Sequence, residues 1–387
     1  MEKIDPSESI KSRLSDDLLE ADKILILNDL DDEGISKKFP PSKKNLLIRK
    51  DNDCDEPKES EEIKDDEVSE VSKDSKETEE IKEETFISRI NLYMQKIIYK
   101  DKYTMLFKNK PKGLVLSGGS IRGIVHLGVL HYFNTLGLLT DITHYAGTSV
   151  GGFIVYLLSI EYTPLEIFVF LNTHDLSKNF ESMNFIGLLL TMGLYSYQPI
   201  NDHLKELTLK KFKFIPTLKE LYERTKKTLI FTTVNRTQKK LVYVSYINFP
   251  DLPITTALQM TSSLPVVFDR FFYKEENYID GGIGDDYPVC YMDKLLPPEV
   301  NIIGCLLHSE LSEKDDNILE YIYSAMALSQ QIQEHTSKEQ VSSRVFNFVL
   351  KTVKGNVFNM KSTPGEKLAL FVKGYTNIKK ELEETDF

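Results

Sequence analysis

From about residue 110 the chain alternates short apolar runs with helical patterns. Gly113-Leu114-Val115-Leu116 is a continuous apolar run and reads as a buried strand, followed by a glycine-rich loop and a helix from about Ile124. Ile142 to Ala146 reads as a second strand leading into another glycine turn, with a helix from Val150. Thr228 to Val234, Leu241 to Ser245 and Asn301 to Leu307 add β-branched and aromatic runs. Strands separated by helices predict an α/β fold, a three-layer α/β/α domain over about 111–310 with a mainly parallel central sheet. Ile318, Leu319, Ile322, Ala325 and Met326 share one helical face after Asp315, which predicts a helical C-terminal extension over 311–387. Before the domain, Phe86, Ile87, Ile90, Met94, Ile97 and Ile98 fall on one side of a helix, an amphipathic lead helix over 86–110. That face either packs on the domain or lies on lipid.

Charge changes the picture only at the N-terminus. The formal net charge is -11, but residues 51–84 hold 17 Asp or Glu against 5 Lys. With few apolar residues and no aromatic one, this tract cannot offset the entropy of ordering, so residues 1–85 are expected to form a disordered acidic arm. The acidity belongs to that arm rather than to the fold. A basic or activating protein partner for the tract stays open, whereas a nucleic-acid partner is not expected, because no basic patch is visible. Cys54, Cys290 and Cys305 have no metal-ligand spacing and suit a reducing, cytoplasmic setting. The N-terminus lacks a signal-peptide pattern. The longest uncharged stretch, 182–201, carries its apolar part over Phe185 to Tyr197, which is interrupted by Gly187 and Gly193 and is short of a membrane span. Membrane contact is therefore expected to be peripheral. Asp29 to Gly34 imitates the start of a calcium loop, but its twelfth position is Pro40 where a bidentate Glu is required. No metal and no cofactor is implied.

Three short motifs carry chemistry. Gly147-Thr148-Ser149-Val150-Gly151 is a G-x-S-x-G between a predicted strand and a predicted helix. Ser149 on so sharp a turn would expose its hydroxyl at a helix N-terminus, where backbone N–H groups favour developing negative charge. The second motif is Ser117-Gly118-Gly119-Ser120-Ile121-Arg122-Gly123. A dinucleotide fingerprint needs glycine at Ser120, and a P-loop needs Lys then Ser or Thr where Ile124 and Val125 stand, so both nucleotide readings fail. An oxyanion hole remains, built from backbone donors in the loop, with Arg122 adding positive potential or making a structural salt bridge. The third is Asp280-Gly281-Gly282 at the end of a predicted strand, followed by Asp285, Asp286, Tyr287 and Pro288.

In this order, on these elements, the three motifs resemble the patatin-like phospholipase family over about Lys112 to His308. Thr217 to Leu221, Thr228 to Asn235 and Ala257 through Ser262-Ser263-Leu264-Pro265 to Phe268 follow the family's usual run as well. The resemblance implies a serine lipid acyl hydrolase acting on fatty acyl esters, most often of phospholipids, at a membrane or micelle. It implies Ser149 as nucleophile, Asp280 as its base without a histidine, and an oxyanion hole at Gly118, Gly119 and Ser120 with Arg122 and Gly123 beside it. Two positions depart from the family: Ser120 stands where a third glycine is usual, and Asp286 where Asn is usual. An α/β-hydrolase triad of Ser149, Asp280 and His308 and an inactive lipid-binding scaffold are the alternatives. Phe185 to Tyr197 is expected either to fill the core or to line and cover an acyl channel.

Overall fold

A computed structural model of the chain describes residues 110–174, 191–308, 328, 341–351 and 362–384. The acidic tract, all but the last residue of the lead helix, the helix after Asp315 and residues 185–190 of the apolar segment lie outside the described residues.

Strand β1 (Gly113–Leu116) is buried at every position. It leads through a 3-10 turn (Ser120–Arg122) into α1 (Gly123–Thr135). Then come β2 (His144–Gly147), α2 (Val150–Ser159) and α3 (Pro164–Thr173). Helix α3 starts at a reciprocal cap, with Thr163 and Glu166 each satisfying the other's backbone N–H, and with Pro164 at its first turn. The chain continues through β3 (Gly193–Tyr195), α4 (Gln198–Phe212), α5 (Leu218–Thr225), β4 (Thr228–Asn235), β5 (Lys240–Val244) and α6 (Ile254–Ser262). After these follow β6 (Val266–Phe268), β7 (Phe271–Tyr273), β8 (Glu276–Asp280) and α7 (Val289–Leu295). The last described elements are β9 (Ile302–His308), β10 (Val345–Lys351) and α8 (Pro364–Glu384).

Eight strands form the main sheet in the order β10-β9-β1-β2-β4-β8-β7, with β5 also paired to β4. Pairs from β10 to β4 along this path are parallel, while β5, β8 and β7 join antiparallel. Strands covered on both faces read as unbroken apolar runs, which is why β1 and β9 show no alternation. Val115, Ala146, Ile230, Ile302 and Leu306 project to one face, where Val289 and Met292 of α7 cover them. On the other face lies α1, with Phe133 against Phe348 of β10. Helix α1 is apolar almost all round because α8 covers its outer side. The two helices cross through paired glycines. A Cβ on Gly128 would lie 1.9 Å from the Phe371 carbonyl oxygen, and one on Gly374 2.2 Å from that of Val125.

The α/β fold with a mainly parallel sheet is as the sequence predicts, and α8 provides helix within the C-terminal region. Strand β10 is an addition to that reading. It pairs with β9 over its whole length, so the sheet continues past residue 310. Arg344, just before it, donates from Nε to Asp293 Oδ1 at 2.8 Å and pins the strand's start to α7.

Candidate active site

One strand aligns the two key loops. Phe231 of β4 pairs with both Gly147 and Val244, and Thr233 pairs with both Val242 and Asp280. A residue has only two edges, so β2 and β8 lie along one edge of β4 while β5 takes the other. Strand β2 runs parallel to β4 and β8 antiparallel, so their C-terminal ends meet head to head. The step between them is two residues, roughly 7 Å along the strand. The serine turn leaves one end, and Asp280 closes the other.

Ser149 caps α2 with φ 52° and ψ -121°, backbone space that costs a side-chain-bearing residue about 1–3 kcal/mol. Its surroundings enforce the turn. The Ser149 N–H donates to Thr261 Oγ1 at 3.0 Å, and the Thr261 hydroxyl donates to the Thr232 carbonyl at 2.6 Å. Thr148 is buried and donates to the Asp285 carbonyl at 3.1 Å. A Cβ on Gly151 would sit 2.5 Å from the Ser117 carbonyl oxygen, so the turn crosses the glycine loop too closely for any side chain there. Gly147 is hemmed in at 2.6 Å by the backbone of Gly151 itself.

Asp280 is 4% exposed. Its carboxylate accepts the Gly282 N–H at 2.8 Å, and Ser149 lies near enough to act on its ionisation. Burial pushes its pKa up from 3.8 to about 6, against the opposing pull of Gly282 and Ser149. It is therefore mostly ionised at neutral pH, yet far closer to proton-accepting range than a solvated Asp. Beside it the Asp280 N–H donates to the Ser263 carbonyl at 3.0 Å, and Tyr197 shares a 2.7 Å hydrogen bond with Ser262. Tyr197, Val267 and Phe268 form an apolar cluster with Phe153 and Leu264 against it. Of the predicted channel segment, Tyr197 thus reaches the site, whereas Met192 is half exposed.

In the glycine loop the donors divide. The Gly118 N–H is directed at the Asp286 carbonyl, 3.3 Å away. Gly119 has φ 152° and Ser120 φ 53°, and among the described residues no partner appears for the Gly119 N–H. Both the backbone N–H and Nε of Arg122 donate to the Gly119 carbonyl, at 3.2 and 3.3 Å. Gly123 begins α1, and its bare Cα faces Val150 of α2. His126 is wholly buried, and burial lowers its pKa to about 4, so it stays neutral. Its Nε2 lies 3.1 Å from the Ser117 carbonyl, an acceptor only, so Nε2 carries the proton and anchors the loop from below. Ser117 Oγ accepts the Leu307 N–H at 2.9 Å, tying the same loop to β9.

Arg122 is also buried, beside Asp286; burial lowers its pKa to about 10 while Asp286 opposes that fall. Arg122 thus lies within electrostatic reach of Asp286 while its Nε holds the carbonyl of the glycine loop. His308 ends β9, two strands from β2 and three from β4, roughly 10–14 Å across the sheet. The groups acting on the Asp280 carboxylate are Gly282 and Ser149, with no histidine among them. Thr261 and Gly282 were not singled out from the sequence for these contacts. Thr261 lay in the run Ala257 to Phe268, whose match to a family gave no role to any one hydroxyl. Asp285 forms a further, half-buried contact, accepting from the Tyr243 hydroxyl at 2.7 Å.

Comparison with known proteins bears on these same elements. The patatin-like phospholipase profile matches residues 114–293, from β1 to α7. Over 195 residues the chain is 35% identical to a probable lipid hydrolase of Invertebrate iridescent virus 6, covering 49% of this chain and 67% of that protein. It is 27% identical over 261 residues to triacylglycerol lipase 4 of Saccharomyces cerevisiae, covering 55% of this chain and 28% of the yeast protein. Among solved structures, VipD from Legionella pneumophila superposes with a TM-score of 0.43 at 18% identity, covering 71% of this chain and 67% of that one. The matched span holds the glycine loop, the serine turn and the Asp-Gly-Gly end of β8, and with the viral relative it settles the family: the chain belongs to the patatin-like phospholipases.

Proposed function

We propose that this lipid acyl hydrolase works through Ser149 and Asp280 alone, with phospholipids as its main substrates. The observation that carries the reading is the meeting, on one edge of β4, of the Ser149 turn with a buried carboxylate whose pKa is raised to about 6 and on which Ser149 acts. Ser149 Oγ attacks the ester carbonyl carbon while its proton passes to Asp280, and the carbonyl becomes an oxyanion. The Gly119 N–H and the N-terminus of α2 supply positive potential to that oxygen. Collapse breaks the bond to the leaving oxygen, which takes the proton from Asp280 and departs as an alcohol, leaving an acyl-serine. Water then attacks, gives a proton to Asp280, and the acid leaves as Ser149 regains its hydrogen. No free alkoxide forms at any stage, so a base of pKa near 6 suffices.

The family's description supports phospholipids, while the yeast relative's name includes triacylglycerol. Among the described residues no helix is long and apolar enough to cross a membrane, and we take the substrate to be met from one side of a bilayer or micelle. The test is hydrolysis of labelled phospholipid and triacylglycerol by the parent protein, Ser149→Ala, Asp280→Ala and His308→Ala. The dyad predicts loss of product in the first two variants and retention in the third. Equal turnover in all four proteins removes the enzymatic reading, and loss in a folded His308→Ala restores the triad.

A further inference from the structure

The site contains a second buried carboxylate. Asp286 is 7% exposed, and a Cβ on Gly118 would lie 2.4 Å from its Oδ1 and 3.6 Å from Ser149 Cβ. Its carbonyl already holds the Gly118 N–H. So the Asp286 side chain stands against the wall of the glycine loop on the side of the serine. Negative charge there opposes the build-up of an oxyanion at Ser149, because buried charges are poorly screened. Arg122, also 7% exposed, lies on the same loop within electrostatic reach of Asp286. Its Nε donates to the Gly119 carbonyl at 3.3 Å, which sets the guanidinium at the loop rather than in solvent.

We infer that Asp286 and Arg122 are opposed electrostatic tuning residues of the reaction at Ser149: Asp286 restrains oxyanion formation, and Arg122 cancels it. Neither touches the reacting atoms. Both are positioning residues that set the potential at the loop whose amide takes the oxyanion. The inference rests on the Ser149 mechanism proposed above and makes a claim that mechanism does not contain. If the pair served only to hold the fold, breaking it from either side would damage the enzyme in the same direction. If it tunes potential, the two single substitutions must act in opposite directions and cancel when combined.

The experiment measures kcat and KM for a labelled phospholipid ester with the parent, Asp286→Asn, Arg122→Gln and the double variant, at neutral pH and low salt. Asn keeps the shape of Asp and the backbone carbonyl that receives Gly118, so it removes the charge with the smallest change of shape. Asp286→Asn is expected to raise kcat roughly fivefold and Arg122→Gln to lower it roughly tenfold, each with KM within about twofold. The double variant is expected to return to within about threefold of the parent. The inference is overturned if Asp286→Asn loses activity while its thermal unfolding matches the parent, or if the double variant is as slow as Arg122→Gln. Should Arg122→Gln fail to fold, the Asp286→Asn result decides by its direction. A parent protein with no turnover of any ester sinks the proposed function, a result separable from an active parent whose variants fail to show opposing signs.

Discussion

Replacing Asp280 with Asn should cost activity and add stability, and the gain should depend on pH in a fixed direction. The folded-state pKa is raised from 3.8 to about 6, chiefly by burial. A carboxylate with a raised pKa holds its proton more tightly when folded. Its ionisation therefore costs nothing below the unfolded value and progressively more as pH rises through the folded one. A shift of about 2.2 units at ~1.4 kcal/mol each gives a penalty of about 3 kcal/mol, complete above pH of about 6. Asn cannot ionise, keeps an oxygen for the Gly282 N–H and offers an amide to Ser149 Oγ, so it escapes the penalty without opening a hole. Urea unfolding of the parent and Asp280→Asn should coincide at a pH of about 4 and diverge by about 3 kcal/mol at about 8. That difference corresponds to roughly 6–12 °C in Tm for a domain of this size. A stability difference that is flat with pH, or that favours the parent at high pH, refutes the assignment of strain to this buried charge.

Turnover itself should follow the same group in the opposite sense. kcat/KM should rise with pH to a plateau, lying roughly tenfold below it one unit under the Asp280 pKa, as a pH–rate profile would show. At the glycine loop, Ser120 holds φ 53°, where a side chain costs about 1–2 kcal/mol. Ser120→Gly should recover this less the roughly 0.4–1 kcal/mol of added chain entropy, and denaturant midpoints will show whether a net gain of about 0.5–1 kcal/mol appears. Gly128→Ala should do the reverse at the crossing of α1 and α8, because its methyl would overlap the Phe371 carbonyl. A loss of about 3 kcal/mol or more is expected, with faster hydrogen exchange along α8 as the direct check.

Much of this was legible in the chain. Leu114 to Leu116 and Ile302 to Leu307 announce interior strands because a strand covered on both faces needs no polar alternation. The serine and glycine motifs are legible because their geometry admits so few residues: at Gly151 a carbonyl of the neighbouring loop occupies the place of a side chain. Strand β10 was missed although Val345-Phe346-Asn347-Phe348-Val349-Leu350 is rich in strand formers. Its partner β9 is distant in sequence, and no glycine loop follows to mark it. The contacts of Thr261, Arg122 and Asp286 were illegible for another reason. A hydroxyl or a charge acquires its role from what faces it, and here the facing groups come from α6, the glycine loop and the turn after β8.

The head-to-head meeting of β2 and β8 on one edge of β4 has a consequence for how the protein can change. The spacing of serine and aspartate is read off two steps of a single strand, Phe231 to Thr233, and not from the lengths of the segments joining them. Insertions in the connections between α3 and α5, or in the turn between β4 and β5, would leave that ruler intact. A single residue removed between Phe231 and Thr233 would slide one loop by about 3.3 Å and invert the facing of every later position on the strand. Lineages of such chains should therefore vary widely in total length while keeping this one interval constant.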